Sequence, residues 1–296
     1  MDLSVFLALG AALSWTMAAL VSHRPATELG SLHFNRVRMI AATVIMGAIL
    51  LMTGRSFDIP SALWWPILLS AVAGIVFGDF FLFAAMRRLG PRRSNILFAT
   101  NAIFAALLGW LYLGETVDLK AGIAILLGFS GVSLAVLYGK RRDLLHQWEQ
   151  VTPPLWIGVV LGLLAAICQA FGVVFVRPVM AAGADPVAVT LARTLVAAMV
   201  FWATFPLDRS RRGLPIFPHG RVLGLTVLNG LFGLGIGAAM LMAALEFGSV
   251  ATVTILSSTT PVMILPFIWL RTGRMPPVAA WCGAVLVVIC TALIAS

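Results

Sequence analysis

Between short polar joins, the chain is a succession of apolar stretches each long enough to cross a bilayer, and this restricts the fold more than any motif does. A helix needs about 20 mostly apolar residues to span the roughly 30 Å hydrocarbon layer. Ten such stretches can be drawn, at approximately 3–21, 34–53, 64–86, 94–112, 119–138, 155–176, 186–206, 221–245, 249–270 and 277–295. With 61% hydrophobic and 10% charged residues and a mean hydropathy of +1.03, little is left to form a soluble domain. The expected fold is an all-α polytopic membrane protein. Span 1 lacks a basic leader and is followed by the full array, so it is read as a retained helix.

The net charge of +9 sorts by side. Sixteen of the 20 Lys and Arg lie in or beside the joins after spans 1, 3, 5, 7 and 9, and three, Arg55, Lys120 and Arg177, lie on the opposite side. This asymmetry places the odd-numbered joins in the cytoplasm and both termini outside. The basic balance therefore reports topology, and no nucleic-acid partner is expected. The last arginine, Arg193, falls inside span 7.

Cys168, Cys282 and Cys290 all fall within spans, and the four histidines have no ligand spacing. No disulfide framework, metal site or cofactor is expected from them. The sequence also lacks a G-x-x-x-x-G-K-[ST] phosphate loop, which speaks against ATP hydrolysis within this chain.

Residues 74–86, GIVFGDFFLFAAM, align with residues 233–245, GLGIGAAMLMAAL, at an offset of 159. Gly74 meets Gly233, Gly78 meets Gly237, Thr100 meets Thr259 and Gly114 meets Gly273. Arg24 and Pro25 correspond to Arg177 and Pro178, and RMIAA at 38–42 resembles RTLVAA at 193–198. The chain thus reads as two copies of a five-helix unit, residues 1–139 and 155–296, joined by a cytoplasmic linker at 140–154. Five being odd, the copies are inverted, an arrangement characteristic of secondary transporters with a midplane site between the halves.

The segment FAAMRRLGPRRSNILFATNAIFAALLGWLYLGETVDLKAGIAILLGFSGVSLAV (83–136) resembles the EamA-type domain of the drug/metabolite transporter superfamily, and SSTTPVMILPFIWLRTG (257–273) repeats it more weakly. The sequence departs from the family pattern at Asn101 and Ala102, where a proline is usual, although Pro261 is kept. It departs again at Arg274, where the second copy lacks the glutamate that Glu115 supplies in the first. The resemblance implies a ten-helix carrier exporting small metabolites, such as amino acids or amphiphilic compounds, from a bacterial cell through its inner membrane, either facilitative or coupled to protons.

Asp79 lies eight residues before Arg87, so it sits roughly 12 Å inside the cytoplasmic end of its span at 1.5 Å per residue. A carboxylate at that depth must be paired, hydrated or protonated. It is either a proton or cationic-substrate site, or a structural group that partners a buried arginine or makes a helix-end hydrogen bond. Arg193 is the natural second member, and its repeat mate Arg38 suggests either a shared structural role or binding of an anionic substrate group. Trp15, Thr16, Asn101, Gln169 and Thr260 are polar or amphipathic residues within spans and are the cavity-lining candidates, with close helix packing as the alternative. Glu115, at the outer edge of span 4, is expected to cap or orient the next helix, with coupling as the alternative. A channel-like facilitator remains the alternative function, and a membrane-embedded transferase would need a catalytic cluster that the scattered acids do not form.

Overall fold

The computed structural model describes residues 3–116, 118–138, 154–207, 216–273, 275 and 277–295, and among them all regular structure is helical. Seven runs are long and apolar enough to cross a bilayer unaided, and three shorter apolar helices, Leu97–Leu113, Leu119–Leu134 and Val278–Cys290, complete the ten. The joining segment 140–154 lies, but for Pro154, outside the described residues.

The first spans are α1 (Leu3–Leu29) and α2 (Ser31–Met52). The third, α3, starts at Trp64–Ser70, widens into a π-helical segment, Ala71–Phe77, and enters the run Gly78–Ala99. The end of that run and Asn101–Leu113 form α4, and α5 is Leu119–Tyr138. The second copy repeats this with α6 (Leu155–Ala181) and α7 (Pro186–Ala203). Its α8 comprises Gly220–Asn229, a π-helical Gly230–Gly237 and Ala238–Phe247. Its α9 joins Val250–Ser257 to Thr260–Thr272, and α10 is Val278–Ala295.

Two boundaries differ from the sequence reading. α1 and α6 run past Arg24 and Arg177 to Leu29 and Ala181, carrying Pro25 and Pro178 in their last turns. A helix satisfies its own backbone and has no need to stop where the lipid does. The join after span 3 also stays helical, although the chain reverses within it. Along α6, Gly172, Gln169 and Gly158 meet Gly74, Gly78 and Leu89 in turn, so α3 is antiparallel to it. On the same helix Gly162 meets Leu97, Phe171 meets Tyr112 and Arg177 meets Glu115, so α4 runs parallel. The direction changes between Leu89 and Leu97.

The repeats are matched in their irregularities as well as in their sequences. The π-helical segments begin at Ala71 and Gly230, α4 breaks at Thr100 and α9 at Ser258–Thr259, and the helices before the last span of each copy end on left-handed glycines, Gly114 at φ 66° and Gly273 at φ 65°. A side chain is disfavoured at that φ. The packing is crossed between copies: α1 lies on α8, α3 on α6, α2 on α7, α4 on α9 and α5 on α10. Every one of these pairs maps onto itself or onto another when first-copy and second-copy helices are exchanged. The architecture is therefore two inverted five-helix repeats.

Close crossings depend on small residues because a bilayer offers no hydrophobic drive to bring helices together. At the α3–α6 crossing a Cβ on Gly172 would stand 2.5 Å from the Gly74 Cα. At the α1–α8 crossing a Cβ on Gly237 would stand 2.6 Å from the Trp15 Nε1. Gly172→Ala meets backbone and is expected to destabilise by about 1–3 kcal/mol as overpacking, read as a lowered Tm of the detergent-purified protein. Gly47→Ala, at a site with nothing within 4 Å, is the matched control and is expected to leave Tm unchanged.

Candidate substrate site

The sequence candidates fall into three neighbourhoods on the inter-repeat helices. The first lies where α2 approaches α3. The Arg38 guanidinium donates a short, charge-assisted hydrogen bond from Nη2 to Asp79 Oδ2, and the two side chains are only 11% and 19% exposed. Arg38 also stands over the Phe34 ring, 5.5 Å from its centroid. Asp79 therefore pairs with Arg38 within its own repeat, not with Arg193. A carboxylate at this depth is tolerated because its charge is met by a guanidinium.

The second neighbourhood surrounds Arg193 on α7, 4% exposed. Its Nη1 points at the Met242 sulfur on α8, 3.4 Å away, and its Nε has no hydrogen-bond partner. The Nη2 lies against Gly74 in the π-helical segment of α3, 3.4 Å from where a Cβ would be, and Gln169 Oε1 of α6 approaches the same point to 3.8 Å. Arg193 and Gln169 are thus brought together by the missing side chain of Gly74. Among the described residues no carboxylate meets Arg193.

The third neighbourhood is where α1 meets α8 and α9. A π-helical turn shifts the backbone bonding by one residue, and in α8 side chains from α1 donate to its carbonyls. Trp15 Nε1 donates to Gly233 O at 2.8 Å and Ser14 Oγ to Phe232 O at 2.7 Å. Thr16 Oγ1 donates to Ala12 O at 2.9 Å and lies 3.4 Å from Thr260 O, while Thr260 Oγ1 donates to Ala12 O at 3.2 Å. Asn101 Nδ2 donates to Phe98 O at 2.9 Å across the break in α4, and its Oδ1 lies 3.5 Å from Ser258 Oγ on α9. Trp15, Thr16 and Thr260 hence form one connected patch, with Asn101 beside the corresponding break of α9.

Glu115 acts across the repeats. Both of its carboxylate oxygens accept from Val250 N–H, at 3.1 and 3.0 Å, capping the start of α9 and not the helix that follows it in sequence. Arg177 stands 3.8 Å away. A carboxylate at a helix N-terminus meets the positive end of the helix dipole. Pro261 is the second residue of Thr260–Thr272, where its missing N–H is not needed. Sequence reasoning passed over Arg36, which is fully buried and holds the end of α7 by donating from Nε to Phe201 O at 3.1 Å and from Nη2 to Thr204 Oγ1 at 3.0 Å. The available signal was the RVR triplet at 36–38 inside an apolar helix. It also passed over Met242, which nothing in the sequence distinguishes from core. Among the described residues no three His, Cys, Asp or Glu side chains gather in a metal-binding group.

An inverted pair of five-helix units, with broken and π-bulged helices at the contact between copies, defines a transporter-type membrane fold. The EamA-like transporter family model matches residues 2–137 and 156–296, one match per repeat, and the chain belongs to that family. It is 24% identical over 168 residues to the S-adenosylmethionine/S-adenosylhomocysteine transporter of Chlamydia trachomatis serovar L2, a match covering 56% of this chain and 50% of that one. It is 26% identical over 110 residues to the solute carrier family 35 member B1 homolog of Drosophila melanogaster, covering 35% and 32%. The chain thus spans half or less of the length of these curated relatives. A protein of known crystal structure superposes with a TM-score of 0.79 at 18% identity, covering 98% of this chain and 95% of that one.

Removing one partner of a buried ion pair leaves the other charge stranded, so Asp79→Ala is expected to destabilise by about 3 kcal/mol. Replacing both members, Arg38→Met with Asp79→Leu, is expected to recover most of that loss, because two apolar groups leave no charge in the lipid-facing bundle. Thermal denaturation of the three variants against wild type measures both effects.

Proposed function

We propose that this protein is a secondary carrier for small metabolites such as amino acids or amphiphilic compounds, working by alternating access around the contact between its repeats. The observation that carries this reading is the symmetric placement of irregular helix at that contact: π-helical segments in α3 and α8, breaks in α4 and α9, and polar side chains of α1, α4, α6, α7 and α9 turned toward them. Irregular backbone at membrane depth is tolerated where it is buried in protein or lines a cavity. Two inverted units exchange shapes when the carrier turns over, each taking the conformation the other has left.

In this reading the repeats are residues 1–139 and 155–296 with a linker at 140–154, the arginine-rich end faces the cytoplasm, and both termini lie outside the bacterial inner membrane. Transport runs outward. Asp79 is the coupling carboxylate: when it takes a proton it releases Arg38, and the contact between α2 and α3 opens. The relatives' transport activities support a carrier over an enzyme.

The test is counterflow in proteoliposomes across a panel of amino acids and amphiphilic metabolites, with and without a pH gradient. Wild type is expected to show saturable exchange and accumulation driven by the gradient. Asp79→Asn is expected to keep exchange and lose the gradient-driven part. Flux that never saturates and shows no counterflow makes the protein a channel-like facilitator, and an Asp79→Asn variant equal to wild type in both modes removes Asp79 from coupling.

A further inference from the structure

The two repeats place an arginine at the same position and then treat it differently. Arg38 and Arg193 are each the eighth residue of their helices, α2 starting at Ser31 and α7 at Pro186. Asp79 and Ala238 also correspond, each eight residues past the first residue of a π-helical segment, Ala71 or Gly230. In the first repeat the arginine meets the carboxylate. In the second, the position of that acid is Ala238, and Arg193 reaches Met242 instead. Met242 is one helical turn beyond Ala238 and therefore on the same face of α8, so Arg193 addresses the face on which an acid is missing.

A guanidinium does not give up its proton in a protein. Arg193 is therefore a cation held between four helices with a thioether at its Nη1, an Nε that lacks a partner, and the Gln169 amide oxygen close by. Arg38 meets Asp79, Arg55 meets Asp185, Arg177 stands beside Glu115, and Arg36 is held by Phe201 and Thr204, whereas the hydrogen-bond partner of Arg193 is a sulfur. Buried charges are paired in folded proteins, and among the described residues no carboxylate pairs this one.

We infer that Arg193 docks a substrate carboxylate, which takes in the second repeat the place that the Asp79 carboxylate holds in the first, with the Gln169 amide beside it. The ligand chemistry is a single carboxylate because one guanidinium serves it, in a fork geometry suited to two carboxylate oxygens, and the vacancy is that of one aspartate. This inference rests on the carrier reading for its physiological meaning, but its binding test does not.

The test uses the full-length protein in nanodiscs and three acid and amide pairs: phenylacetate and phenylacetamide, L-phenylalanine and L-phenylalaninamide, L-leucine and L-leucinamide. Calorimetric titration is expected to find at least one acid binding about tenfold or more tighter than its amide. Arg193→Gln is expected to erase that difference. Ala238→Asp keeps Arg193 and supplies it with an internal carboxylate, so it is expected to weaken acid binding about tenfold and to raise Tm relative to Ala238→Asn. The inference is overturned if no acid binds, if acid and amide bind alike, if Ala238→Asp leaves acid binding intact, or if it folds less stably than Ala238→Asn. Counterflow of the same compounds separates the two readings. Exchange indifferent to the carboxylate keeps the carrier and rejects the site, whereas carboxylate binding without counterflow keeps the site and rejects the carrier.

Discussion

The bilayer gives backbone and polar side chains nothing to bond with, and the rest of this structure depends on that constraint. Helices crossing it must close their own hydrogen bonds, and where a helix departs from regularity another helix has to complete it. The π-helical segment of α8 shows the rule at work, since Ser14 and Trp15 of α1 donate to Phe232 O and Gly233 O. In the first copy Ser70 donates to Gly172 O at the mirrored crossing of α3 and α6. At each crossing the irregular helix is thus hydrogen-bonded to a helix of the other repeat, as acceptor in α8 and as donor in α3. This links the two copies more specifically than apolar packing, which a lipid tail could supply equally well.

The same constraint makes the charge distribution informative. An internal pseudo-two-fold relation predicts that what one copy does the other repeats, and for glycines, kinks and caps it does. Charge breaks the relation. Arg38 has Asp79, Arg193 has Met242, and Glu115 caps α9 from the first copy while the corresponding position of the second is Arg274. Departures from symmetry in a structure that is otherwise symmetric are the places where the two halves have separate tasks.

Much of the architecture was legible in the sequence because its signals are local and strong. Ten apolar stretches, the lopsided arginines and the 159-residue offset between GIVFGDFFLFAAM and GLGIGAAMLMAAL follow from composition and spacing alone. The partner of Asp79 was not legible. Depth along a helix is set by counting residues, but rotation about the helix axis is set by tertiary packing, and rotation decides whether Arg38 or Arg193 faces the carboxylate. The π-helical segments were also hidden, since the glycines within them are equally compatible with regular, closely packed helix. The reach of Glu115 to Val250, 135 residues away, is another product of crossed packing.

In alternating access the two repeats move against each other so that the ends open in turn. Spin labels on a variant with its three cysteines replaced, placed at Ser56 and Ala182 near the Arg55–Asp185 contact and at Glu28 and His219 at the arginine-rich end, report one distance across each end by double electron–electron resonance. Alternating access predicts that a transported substrate or a pH change lengthens one distance while it shortens the other. Two distances that stay fixed through turnover, or that lengthen together, contradict it.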